Sequence, residues 1–220
     1  MLGQIHMGTG FGQNIYKLVL ENDFQNIVDV GTWNGLGTTS CILEALKAKK
    51  SFDTNVYTVE LYQEMIKEAT VNLKKYSEFN LHILHGRISD IDEVYSWFDH
   101  STIDFLNDGH ARLWYHKDMA LLKQSENISH LLPEKIDFLI LDGGEYCTYP
   151  EWNKLKDKTN FFALDDTNIL KCSKIRKEIL HNPEKYTVIH DVPSERNGYL
   201  IGRTNLFWRH IGLAKPFFGG

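Results

Sequence analysis

Two short acidic runs hold the densest chemistry in the sequence, Leu141-Asp142-Gly143-Gly144-Glu145-Tyr146 and Leu164-Asp165-Asp166-Thr167-Asn168. Each follows an apolar run of strand type. Neighbouring strands lie about 4.8 Å apart, so carboxylates leaving the same edge of two strands can converge on one hard cation. Asp142, Asp165 and Asp166 left together without such a cation would repel one another, which favours a metal-ligating reading. A second reading stays open, because Asp165 or Asp166 can instead cap a helix that starts near Ile169. Upstream, Val28-Asp29-Val30-Gly31-Thr32-Trp33-Asn34-Gly35-Leu36-Gly37-Thr38-Thr39 runs from a strand through a glycine-rich turn into a helix, the place where an open α/β sheet takes its ligand. Glu60 ends the second strand, where a carboxylate can accept both hydroxyls of a ribose. Glycines can merely make a turn, and a lone acid can merely be solvated. At this mutual spacing the pair favours a nucleoside.

The elements that must position these residues follow from the apolar pattern. Short runs rich in Val, Ile and Phe alternate with longer amphipathic segments, which is the pattern of a parallel sheet covered by helices. Strands are expected at Asn26 to Val30, Asn55 to Val59, Leu81 to His85, Ile136 to Leu141, Asn160 to Leu164, Tyr186 to His190 and Tyr199 to Arg203. Helices are expected at Thr38 to Lys49 and Leu61 to Tyr76, then at Asp92 to Phe98 and Arg112 to Gln124 within a helical insertion spanning about 91–134. A polar loop through Asn107-Asp108-Gly109 joins the last two. Only Asp191 to Gly198 separates the final strands, too short for a crossover helix, so these pair antiparallel around a turn containing Pro193 and Asn197-Gly198. The tip of that hairpin, Arg196 and Asn197, falls on the edge of the sheet where the other strands end. A polar tip there can hydrogen-bond a ligand with several hydroxyls.

With 220 residues and 42% hydrophobic content the chain can bury one sizeable core but not comfortably two, so a single domain over 1–220 is expected. Nothing marks either end as a natural terminus, and the chain can equally be a domain of a longer protein. A formal net charge of −5 speaks against nucleic acid and against an acidic membrane surface as partners. Cys41, Cys147 and Cys172 are an odd number, widely spaced and without a CxxC pair, which suggests neither a disulfide framework nor a zinc cluster. No stretch approaches about 20 uninterrupted apolar residues, and the first residues lack the build of a signal peptide. A cytoplasmic protein with a small-molecule ligand is expected, and a homodimer remains open.

Over nearly its whole length this order of elements, with the glycine turn, Glu60 and the two acidic clusters, resembles the class I S-adenosylmethionine-dependent methyltransferases. The glycines fall as G-x-x-x-G-x-G rather than the G-x-G-x-x-G of a pyrophosphate cradle, which argues against an NAD-dependent oxidoreductase or epimerase, the alternative from a different class. The resemblance implies an α/β, Rossmann-like, seven-stranded sheet of order 3-2-1-4-5-7-6, mostly parallel with a C-terminal antiparallel hairpin and helices on both faces. It implies that Gly31, Thr32, Trp33, Gly35 and Thr38 surround S-adenosylmethionine, with Asp29 near its amino-acid end, Glu60 on the ribose, Arg87, Ile88 and Ser89 around the adenine, and Asp142 beside the methyl donor. The acidic clusters are similar to those of metal-dependent O-methyltransferases of the catechol and macrolide-sugar types, which implies that Asp142, Asp165 and Asp166 hold magnesium or manganese. A metal on the acceptor hydroxyl would favour its alkoxide. The catechol-type lysine three residues after the first aspartate is Glu145 here, so Glu145 or Asp142 is left to take the proton, with His110 and His116 as further candidates. A sugar or glycan hydroxyl is the acceptor implied, contacted by His116, Tyr146, Arg196 and Asn197, with another small molecule of phenol or catechol type as the alternative acceptor. Trp114, Tyr115, Tyr146 and Tyr149 can supply an aromatic wall. The polar-Pro-Pro-aromatic motif of base methylation is replaced by Asp142-Gly143-Gly144-Glu145.

Overall fold

Every apolar run expected as a strand forms one. The structure, a computed structural model, describes residues 4–97, 99–105 and 109–205. The strands are β1 (Asn26–Val30), β2 (Asn55–Glu60), β3 (Asn80–His85), β4 (Ile136–Leu141), β5 (Thr159–Asp165), β6 (Tyr186–Val192) and β7 (Tyr199–Thr204). They form one sheet in the order β3-β2-β1-β4-β5-β7-β6. The first five run parallel, while β7 pairs antiparallel with both β5 and β6. All six residues of β4 are buried, as a central strand covered on both faces must be.

Side chains alternate across a strand, and the alternation here sorts the core into two layers. Ile27, Phe138, Ile140, Ala163 and Ile201 meet residues of α1 (Gly10–Glu21), α2 (Thr38–Lys49) and α3 (Gln63–Asn72). Their neighbours Val28, Leu139, Leu141, Phe162, Leu164 and Leu200 meet α6 (Thr148–Leu155) and α7 (Leu170–His181) on the other face. The insertion supplies α4 (Ile91–Ser96) and α5 (Gly109–Gln124), which share a third, smaller core of Val94, Ile103, Tyr115, Met119 and Leu122 with Tyr146 and Cys147.

Helix bounds differ from expectation for local reasons. α3 begins two residues late because the backbone N–H groups of Leu61 and Tyr62 donate to the Glu60 carboxylate, which holds that stretch out of the helix. Its last expected turn is a 3-10 turn at Lys74–Tyr76. α1 and α6 are not among the elements expected from the strand pattern, although Phe11, Ile15 and Val19 recur at helical spacing and are buried. Gly109 opens α5 rather than closing a loop. Residues 107 and 108 of that loop, Phe98, and the side chain of His110 lie outside the described residues. Among the described residues no helix is long and apolar enough to cross a membrane.

Candidate functional site

The turn after β1 is shaped by one close approach. Gly31 has φ 103°, and a Cβ there would lie 2.3 Å from the carbonyl oxygen of Asp142, so only glycine lets the ends of β1 and β4 meet. The Asp142 N–H then donates to the Val30 carbonyl at 2.8 Å. Asp29 sits behind this turn, fully buried, and accepts from the hydroxyls of Thr38 (2.9 Å) and Thr39 (2.6 Å). Burial pushes its carboxyl up to about 7 against those hydrogen bonds. The Thr32 hydroxyl is paired with that of Thr58, and Gly35 is packed under Leu73. Asp29, Thr32, Gly35 and Thr38, expected around a cofactor, therefore build the turn and do not line the cleft in front of it. Ile88, expected on an adenine face, is a core residue with no exposed surface.

In front of the turn lies a cavity of about 280 Å³ at the carboxyl edge of the sheet. Gly31, Trp33, Glu60, Arg87, Asp142, Glu145 and Tyr146 line it, as expected residues of the site. The Glu60 carboxylate accepts from three backbone N–H groups, of Trp33 at 2.7 Å, Leu61 at 2.8 Å and Tyr62 at 2.9 Å. Burial raises its pKa while those donors oppose the rise. Arg87 turns its guanidinium away, donating to the carbonyls of Ser125 at 3.1 Å and Ser89 at 2.6 Å, so it ties the insertion to the sheet.

Several lining residues come from helices. Trp114, Asp118 and Leu122 stand four residues apart on α5 and share its cavity-facing side. Asp118 accepts from the Tyr62 hydroxyl, and burial raises its pKa against that bond. Glu151, in the first turn of α6, is buried, and its Oε2 finds no hydrogen-bond partner. Burial pushes it up to about 7. Burial likewise raises Glu145, with Lys171 opposing. Trp33, Tyr62 and Trp114 form an edge-to-face row with successive ring centroids 6.4 Å apart.

The three aspartates do converge, with one carboxylate oxygen of each within 4.8 Å of the others. Between them lies a residue absent from the sequence-based site. The Lys171 ammonium is 2.8 Å from Asp142 Oδ1 and 2.8 Å from Asp166 Oδ2. Arg196 reaches Asp165 at 3.3 Å, and the Asn197 amide donates to Asp166 at 3.0 Å. Burial acts against the Asp166 charge, but Lys171, Asn197 and Arg196 outweigh it and hold this carboxyl below its usual range. Neither aspartate caps α7, whose N-cap is Ile169 with no side-chain bond.

The expected acceptor contacts separate. Arg196 and Asn197 spend donors on the aspartates and do not line the cavity. His116 is exposed and borders a different groove with Tyr95 and His100. Two residues from Trp114, it points about 200° away around the helix. Of the aromatic wall, Trp114 and Tyr146 line the cavity. Tyr115 lies in the small core against Tyr146, and Tyr149 packs on Trp97 under the Lys174 ammonium.

The sheet order, with its antiparallel C-terminal hairpin, defines the class of fold, the Rossmann-like methyltransferase fold. In particular, the chain resembles an O-methyltransferase from Bacillus cereus solved with S-adenosylhomocysteine, at 13% identity over 93% of this chain and 84% of that one, TM-score 0.56. It also resembles the S-adenosylhomocysteine-bound methyltransferase PaMTH1 of Podospora anserina, at 12% identity, 88% and 77% coverage and TM-score 0.57. An rRNA methylase from Streptococcus thermophilus shares the fold at 14% identity, 86% and 93% coverage and TM-score 0.51. At these identities the likeness is one of fold. No protein-family model matches the sequence, and no curated protein matches it.

Proposed function

We propose that this protein is an S-adenosylmethionine-dependent O-methyltransferase acting on a small-molecule hydroxyl, with a sugar or glycan hydroxyl as the favoured acceptor. The observation that carries the reading is the charge of the cleft. Among the described residues, Glu60, Asp118, Asp142, Glu145, Glu151 and Asp166 line it against only Arg87 and Lys171, and both of those are already bonded. A dinucleotide would bring phosphates into that field, whereas a sulfonium nucleoside with an ammonium brings positive charge.

The residues present fit such a cofactor. Glu60 keeps acceptor capacity for a ribose beyond its backbone bonds, and Glu151, whose Oε2 has no hydrogen-bond partner, would answer the positive end. When bound, the cofactor supplies a methyl group on a sulfonium. The chain has to align an oxygen with that methyl, exclude water and take a proton. Glu145 is the base we assign, because it lines the cleft and burial makes it a better proton acceptor than a solvated carboxylate. Asp142 is committed to Lys171, and His116 faces elsewhere. Trp33, Tyr62 and Trp114 wall the mouth with ring surfaces suited to the apolar face of a sugar.

Calorimetric titration tests the first step, with S-adenosylmethionine expected to bind and NAD not. Transfer of a labelled methyl group to a panel of sugar nucleotides, glycosides and catechols tests the second. Binding of NAD alone rejects the reading, and labelling of catechols but no sugar rejects the acceptor class.

A further inference from the structure

The acidic cluster already holds a cation of its own. Three carboxylate oxygens within 4.8 Å of one another are a set that a divalent ion can use. Lys171, the second residue of α7, is buried among them, bonded to Asp142 and Asp166 at 2.8 Å each, while Arg196 covers Asp165. Magnesium needs oxygens at about 2.0–2.1 Å on all sides, and the space between two of these carboxylates is filled by an ammonium, a cation of the same sign. As arranged, the cluster does not fit a divalent ion.

Two of the three N–H donors of Lys171 go to aspartates, and the residue lines the cleft together with Glu145. We propose that Lys171 is the resident cation of this site, standing in for the metal: it fixes Asp142 and Asp166 and gives its third N–H to the acceptor oxygen. This rests on the methyl-transfer reading above. The acceptor oxygen gives its proton to the Glu145 carboxylate and its electron pair to the methyl carbon, whose bond to sulfur breaks with that pair left on sulfur. Lys171 stays an ammonium throughout.

Manganese(II) alone is the probe. Its free ion is followed by electron paramagnetic resonance as protein is added, with S-adenosylmethionine titrated into a parallel sample. Wild type is expected to leave the ion free. Lys171→Ala uncovers the carboxylates and should bind it about tenfold tighter or more, while Lys171→Arg should not. Stoichiometric binding by wild type overturns the proposal, as does a folded Lys171→Ala that gains none; if that variant fails to fold, the wild-type titration decides. With an acceptor from the labelling panel, turnover should survive EDTA and fall about a hundredfold in Lys171→Ala, with partial recovery in Lys171→Arg. Loss of turnover in EDTA also overturns it. Wild type that binds manganese and S-adenosylmethionine refutes this proposal alone, whereas wild type that binds neither refutes the methyl-transfer reading, and with it the Lys171 contact to the acceptor, leaving only the occupation of the carboxylate cluster by Lys171.

Discussion

Glu60 and Glu151 are both buried carboxylates of the cleft, and their surroundings make opposite demands. Glu60 satisfies three backbone N–H groups, so Glu60→Ala removes a ligand contact and also strands those donors. We expect it to weaken S-adenosylmethionine binding by about tenfold to a hundredfold and to lower stability by roughly 1–3 kcal/mol. Calorimetry and urea unfolding check the two effects, and unchanged affinity would take Glu60 out of the site. Glu151 satisfies nothing of its own chain at Oε2. Glu151→Gln should therefore raise the melting temperature near pH 8 while weakening the cofactor, a trade of stability against function; a variant that melts no higher shows that the carboxylate has a partner. Glu60 and Asp142 were legible because an acid at a strand's carboxyl end has a fixed relation to the sheet edge. Lys171 and Glu151 were not, since they arrive on helices whose rotation about their own axes no strand motif fixes.

At the level of elements, the contact between the ends of β1 and β4 is the tightest constraint near the site. A methyl group on Gly31 would collide with the backbone of Asp142 in a conformation that disfavours any side chain. Gly31→Ala should cost about 2–3 kcal/mol or more in urea unfolding and should weaken cofactor binding with it; a variant as stable as wild type would mean that the strand ends separate freely. The seven strands could be read from the sequence to within two residues because burial on one or both faces imposes its own pattern. The insertion was harder. Its small core takes Tyr115 and Met119 of α5 while the cleft takes Trp114 and Asp118, with Leu122 shared between them, so Asp118 is visible only by counting in fours from Trp114. The same count excludes His116.

For the molecule as a whole, buried acids set the response to pH. Asp29 and Glu151 both rise to about 7 through burial, so between about pH 4 and 7 the folded state holds protons that the unfolded chain releases. Stability is present in full below the ordinary carboxylate range and falls as pH rises towards 7, by on the order of 4 kcal/mol for Asp29. Asp166, held low, works in the other direction and loses its contribution as pH falls below the ordinary carboxylate range. Thermal melts from pH 5 to 8 should show a falling midpoint, flattened in Asp29→Asn; a midpoint that does not move would mean that these carboxyls ionise freely. The molecule also carries its own optical reporter. Trp33 and Trp114 stand 46% and 45% exposed at the mouth of the cleft, where their indoles emit from water, so any ligand that covers the opening should shift tryptophan fluorescence to the blue and make occupancy measurable without a label.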